Sequence, residues 1–295
     1  MDLVVHTPRV PKLGETIIGS DFMTAPGGKG ANQACAAARL GGEVRMLARV
    51  GADAFGTQLR EHLSESGVIV DDVVSIADSP SGIAMIVVHE GDNFIVIDPG
   101  ANHRLTPDDV RSFGPRIADS DVVLVQLEIP LDVVAEVVRV AGESGTPVLL
   151  NPAPAAELSR ETLAGVSWLT PNAGEAALLC GIDGELSDDA SVDSAIHALA
   201  GLGVGTVCVT LGGEGVAYSE AGAPVQRRPA PDVKPVDTTA AGDVFSGALA
   251  VALTEGKSME DAVAFAQTAS AISVTRPGAG PSIPSRDEVE QRLGS

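Results

Sequence analysis

Val122-Val123-Leu124-Val125-Gln126-Leu127, then a helical pattern from Leu131 to Ala141, then Val148-Leu149-Leu150, form one strand-helix-strand unit in the order of their apolar residues. The same alternation recurs on either side. Val44 to Val50 precedes a helical stretch from Phe55 to Leu63, Val166 to Leu169 precedes Glu175 to Cys180, and Val207 to Leu211 is a further strand. Strands separated by helices pair in parallel, so the expected fold class is α/β.

One segment departs from this pattern. Ile83 to His89 and Phe94 to Asp98 flank Glu90-Gly91-Asp92-Asn93, a turn-rich tetrad that predicts a β-hairpin. Leu3 to Val5 and Glu15 to Ile18 are also strand-like and precede the first helix, Ala31 to Leu40. The expectation is a small antiparallel β-sheet, residues 1–24 and 82–100, standing as a lid over a core of residues 25–81 and 101–295. Such a lid would exclude water from a transfer reaction. Toward the C-terminus, Ala240 to Leu253 and Ser258 to Val274 predict Ala-rich helices, followed by a Pro- and Gly-bearing loop, Arg276 to Pro284, and a short helix from Arg286 to Leu293. No repeat or long linker divides the chain, so the two parts form one continuous unit.

Composition narrows the function classes. The 295 residues contain no charge-free apolar run of membrane length, and the N-terminus lacks the basic start and apolar core of a secretory signal. Cys35, Cys180 and Cys208 are odd in number and scattered, which predicts a cytoplasmic protein with reduced thiols acting as small hydrophobes. A formal charge of −21 repels nucleic acid and anionic membrane, so a phosphate-bearing ligand must be gathered by a local cation or an amide nest. Lysine occurs only at Lys12, Lys29, Lys234 and Lys257, which fits a high-salt cytoplasm or a coding bias.

Two short motifs carry the chemistry. In Asp237-Thr238-Thr239-Ala240-Ala241-Gly242-Asp243 a loop of small residues enters an apolar helix, bringing free backbone N–H groups and a carboxylate to one point. Asp243 is a candidate base for an attacking hydroxyl, with the N–H groups near Ala241, Gly242 and Asp243 holding phosphoryl charge; the alternative is an acid in a helix's first turn. Gly27-Gly28-Lys29-Gly30-Ala31-Asn32 lacks the Ser or Thr and the glycine spacing of a P-loop, and is either a ligand-approach loop or a tight turn. Asn172 and Glu175, three apart at a helix start, suit Mg²⁺ or form a plain capping box. Thr210-Leu211-Gly212-Gly213-Glu214-Gly215 ends a strand either as a nucleotide loop or as a turn, and Glu128 follows a strand as a ligand group or a surface acid. His6, His62, His89, His103 and His197 have no ligand spacing, and Ser246-Gly247 lacks a nucleophile elbow, which leaves metallohydrolase and acyl-transfer chemistry unsupported.

Taken together these residues resemble the ribokinase branch of the PfkB family of sugar kinases, over almost the whole chain. DTTAAGD matches the family's C-terminal signature and GGKGANQA, Gly27 to Ala34, its N-terminal one; Gln126-Leu127-Glu128, Asn151-Pro152-Ala153-Pro154-Ala155 and Thr170-Pro171-Asn172 through Glu175 add matches in order. The resemblance implies a three-layer α/β/α sandwich with its lid, and ATP-dependent phosphorylation of the 5-hydroxyl of D-ribose. Asp243 would be the base and the Ala240, Ala241, Gly242 and Asp243 backbone the anion hole. Asp2, Gly28, Lys29, Asn32 and Glu128 would bind sugar; Asn172 and Glu175 would organise Mg²⁺ and phosphates; Thr210, Gly212, Gly215 and Gln267 would lie along the nucleotide. A K⁺ beside the anion hole would take Asp237, Thr239, Ser273, Arg276, Gly278 and Ser282 as ligands, some through carbonyls, and the lid would form a homodimer interface. Other pentoses, ketoses or nucleosides, or a catalytically weak sugar-binding role, remain as alternatives. The family begins with a strand and a Gly-Ser-x-Asn-x-Asp turn, of which Met1-Asp2 matches only the end. That departure predicts an unpaired sheet position and a lost sugar hydrogen bond of about 1 to 3 kcal/mol, through either a start assigned too far downstream or a genuine truncation.

Overall fold

Strand alternation places every second side chain on the same face of a sheet, and here both faces are apolar. In the computed structural model, which describes residues 1–90, 92–184 and 186–294, the chain runs β1 (Asp2–His6), β2 (Ser20–Ala25), α1 (Lys29–Arg39), β3 (Ala48–Gly51), α2 (Ala54–Glu65), β4 (Val73–Ile76), β5 (Ile83–His89) and β6 (Asp92–Asp98). It continues through α3 (Pro107–Ala118), β7 (Val123–Val125), α4 (Leu131–Ser144), β8 (Val148–Leu150), α5 (Arg160–Ala164), β9 (Trp168–Leu169), α6 (Ala173–Leu179), α7 (Asp189–Gly201) and β10 (Thr206–Thr210). The last elements are β11 (Val216–Glu220), β12 (Gln226–Arg228), α8 (Ala241–Thr254), α9 (Met259–Ser273) and α10 (Arg286–Leu293).

The main sheet has the order β12-β11-β10-β9-β8-β7, parallel from β7 to β10 and antiparallel beyond. Leu149, Cys208 and Tyr218 join a cluster with α1, α8 and α9, while Leu150, Val207 and Val209, one residue away, join a second cluster with α4 and α7. Each layer of helices is thus anchored by one parity of strand residue, which produces the expected α/β/α sandwich. The strand-helix-strand unit around Val122 to Leu150 is β7-α4-β8.

β3 and β4 form a separate parallel pair, and among the described residues nothing pairs with the outer edge of β7. A cavity of about 830 Å³ lies between these edges, lined by Val50, Val123, Leu124, Ala34 and Val251, with Met1 also on its wall.

The small sheet has the order β2-β1-β5-β6. It is mixed and not antiparallel throughout: β1 pairs with β2 and β5 with β6 antiparallel, but β1 runs parallel to β5. The centre is parallel because β1 and β5 are joined through core elements and not by a hairpin. The expected hairpin is β5-β6; of the tetrad expected as its turn, Asp92 and Asn93 belong to β6, and Gly91 lies outside the described residues. Glu15 to Ile18 forms no strand; Ile18 remains 89 % exposed with nothing to bury against, and pairing begins at Ser20.

Candidate active site

Asp243 lies in the first turn of α8, a helix whose start has no side-chain cap. Ala240 holds a left-handed φ of 60°, and the Ala241 N–H turns back to Thr238 O at 3.2 Å. Ala241 therefore spends its amide within the turn. The N–H groups of Gly242 and Asp243 meet no acceptor among the described residues, so a helix N-terminus presents two donors beside a carboxylate.

The carboxylate itself is only 5 % exposed. Asn32 Nδ2 donates to its Oδ2 and Gln33 Nε2 to its Oδ1, both at 3.0 Å, from adjacent positions of α1. Gln33 also donates to Asn151 Oδ1 at 3.0 Å, and Asn151 Nδ2 donates to Thr170 O at 2.8 Å, which ties the group to the ends of β8 and β9. Burial raises the Asp243 carboxyl to about 6; the nearby Lys29 charge and the two amide donors hold it from rising further. A carboxylate tuned toward neutrality, next to unpaired amides, can accept a proton while the amides hold an anion.

The loop before α1 brings a second cluster alongside. Glu128 Oε2 accepts the Lys29 N–H at 2.8 Å, and the Asp2 carboxylate, at the start of β1, lies against Gly27 so closely that a Cβ there would displace it. Burial raises the Asp2 carboxyl, with Glu128 adding to the rise. Asp2, Gly28, Lys29, Asn32 and Glu128, expected together from distant parts of the chain, share one corner.

Asn172 and Glu175 form a complete capping box at α6: Asn172 Oδ1 accepts Glu175 N–H and Glu175 Oε2 accepts Asn172 N–H, each at 2.8 Å. Glu175 is buried, which raises its carboxyl, and only Oε1 remains uncommitted. Thr210 adjoins this cap, since its N–H donates to Pro171 O at 2.9 Å, and Gly212 and Gly215 continue from it. Gln267 turns away from open space: its Nε2 donates to Arg228 O at 3.1 Å and its Oε1 is buried without a donor.

Asp237 joins two loops. Its Oδ1 accepts Thr239 N–H at 2.9 Å and its Oδ2 accepts Gly278 N–H at 2.8 Å. Ser273, the last residue of α9, and Ser282, in the loop that follows, are buried, their hydroxyls donating to Ser270 O and Ala279 O. The Arg276 guanidinium is drawn off to Glu288, leaving only its carbonyl for a cation. Among the described residues no three His, Cys, Asp or Glu side chains gather as a metal cluster, and no helix is long and apolar enough to cross a membrane.

Sequence reading missed the role of Gln33 and of Asn151 beside Asp243. Both had a signal: Gln33 stands beside Asn32 as a second amide in an otherwise Ala-rich helix, and Asn151 directly follows a fully apolar strand.

A parallel-sheet α/β sandwich with a carboxylate and free amides at one helix start defines the class, a group-transfer enzyme that handles an anion. The chain belongs to the PfkB family of carbohydrate kinases, whose model matches residues 1–286, and it is a carbohydrate kinase. It is 43 % identical over 293 residues to a ribokinase of Bacillus subtilis, covering 99 % of this chain and 96 % of that one. A ribokinase of Haemophilus influenzae is 41 % identical over 295 residues, covering 99 % and 95 %. The structure of Arabidopsis thaliana ribokinase complexed with ribose and ATP superposes with a TM-score of 0.92 at 34 % identity, covering 100 % of this chain and 96 % of that one.

Proposed function

We propose that this kinase is a ribokinase, transferring the γ-phosphoryl group of ATP to the 5-hydroxyl of D-ribose. The sugar oxygen attacks phosphorus in line as its proton passes to Asp243; the new O–P bond forms as the bond to the β-phosphate oxygen breaks, and ADP leaves. The Gly242 and Asp243 N–H groups stabilise the charge on the moving phosphoryl, with Ala240 setting the turn that aims them. Asp2, Asn32, Lys29 and Glu128 hold the sugar. Thr210, Gly212 and Gly215 border the nucleotide, and Gln267 supports that border by tying α9 to β12.

Two sets of residues would hold the metal ions. Glu175 Oε1 offers one hard oxygen, which suits a Mg²⁺ held chiefly by phosphates and water; bound there, it would neutralise phosphate charge. Asp237 and the carbonyls of Thr239, Ser273, Arg276, Gly278 and Ser282 form an oxygen-only set suited to K⁺, which would tighten the loop leading to Gly242. Residues 1–24 and 82–100 act as the lid over the core of 25–81 and 101–295. Their exposed Phe22, Met85 and Val96, on one face of the small sheet, form the face of a homodimer in a cytoplasmic enzyme.

The observation that carries this reading is the buried Asp243 carboxylate beside two unpaired amides. The test is ADP release with Mg·ATP and D-ribose, with and without K⁺, against a panel of pentoses, ketoses and nucleosides. Ribose-dependent, K⁺-stimulated release is expected. Faster release with another sugar would reassign the substrate, and ribose binding with no release would leave a sugar-binding role.

A further inference from the structure

The Asp53 carboxylate forms a junction that none of the functional roles above uses. Asp53 caps α2, its Oδ1 accepting Gly56 N–H at 2.7 Å. The same carboxylate reaches 28 residues ahead, accepting the Ser81 N–H at 2.8 Å on Oδ2 and the Ser81 hydroxyl at 2.7 Å on Oδ1. Ser81 is buried, and its Oγ accepts the N–H of Gly51 at the end of β3, 3.0 Å away. Three hydrogen bonds therefore fasten Ser81 between the end of β3 and the start of α2.

Ser81 is the point where the chain leaves the core for β5. The return crossing, from β6, lies against it: Ala101 N–H donates to Pro80 O at 2.8 Å. Gly82 and Gly100 allow this approach, since a Cβ on Gly82 would lie 2.7 Å from Pro99 O and one on Gly100, at φ +47°, 2.9 Å from Gly82 N. The crossing also sets β1, because Gly82 O accepts the Met1 N–H and Met1 O accepts the Ala84 N–H, each at 2.9 Å. The residue after Met1 is Asp2, in the sugar corner.

We infer that Asp53 is a positioning residue that anchors the lid's hinge to the core, fixing through Ser81 and Gly82 the place of β1 and hence of Asp2 over the sugar. The carboxylate is ionised in this role: burial pushes it up, but the Ser81 and Gly56 donors hold it below the ordinary range. An amide in its place would turn a donor toward Ser81 N–H, so Asp53→Asn breaks the junction with little change of shape. The kinetic part of the inference rests on the kinase reading, and its structural part does not.

The test combines hydrogen exchange of the β1 and β5 amides with steady-state kinetics on the full chain. Asp53→Asn is expected to speed that exchange about tenfold and to raise the KM for D-ribose about tenfold, with kcat and the KM for ATP within about twofold. Ser81→Ala keeps the backbone donor and loses the hydroxyl, so the same changes are expected at about threefold. A folded Asp53→Asn chain with unchanged exchange in β1 and β5, or with equal rises in both KM values, overturns the inference. Should Asp53→Asn fail to fold, unchanged exchange in Ser81→Ala overturns it. If the unsubstituted chain releases no ADP with any sugar, the kinase reading fails while exchange still decides the hinge.

Discussion

Asp243 is 5 % exposed and held by two amides of one core helix, whereas Phe22, Ile95 and Val96 in the four-stranded sheet are 67, 55 and 60 % exposed. The first region is built to one geometry by buried polar bonds, each costly to leave unmade. The second places apolar surface in water and gains little from staying in one position, which suits a part that closes over a substrate or meets a second subunit. On the proposed function, chemistry falls to the buried region and gating to the exposed one.

The largest effect should come from the rigid region. Asp243→Asn is expected to lower turnover about 10³-fold or more while ribose affinity by calorimetry changes less than about threefold, since the base is lost and the shape is kept. Near-normal turnover would remove Asp243 from its role. Next in size is the pH dependence. With the Asp243 carboxyl raised to about 6, the base is protonated below that value, so kcat should fall about tenfold per pH unit on the acid side and level off above it. Lys29→Met removes a charge that favours the ionised form, and should move this limb to higher pH.

Gln33→Ala leaves Asp243 Oδ1 and Asn151 Oδ1 without a donor, with an expected loss of about 1 to 3 kcal/mol in chemical denaturation and a further upward move of the acid limb. The contrast would be sharpened by Phe22→Ser with Val96→Ser, two exposed residues of one face of the small sheet. This pair should convert dimer to monomer in light scattering while each substitution shifts the unfolding free energy of the core by no more than about 0.5 kcal/mol. A collapse of core stability would show that the two regions are not separable.

Much of this contrast was legible in the residues. The period of apolar runs from Val122 to Leu150 marked a parallel sheet, and the small residues before Asp243 marked an amide pocket, because both depend on local chemistry. The direction of β1 against β5 was not legible, since strand pairing across 80 residues leaves no local trace. Glu15 to Ile18 misled for the related reason that a short β-branched stretch forms a strand only where a partner edge exists. The capping box at Asn172 and Glu175 was visible as an alternative, and the structure forms it.

The sequence by itself determined the α/β class, the carboxylate at a helix entrance and the glycine loop, because spacing and residue type fix these within a few turns of chain. Only the tertiary structure decided that Gln33 and Asn151 brace Asp243 and that Asp53 fastens Ser81. Those bonds join residues up to 210 positions apart, and which polar groups meet is set by how the layers pack.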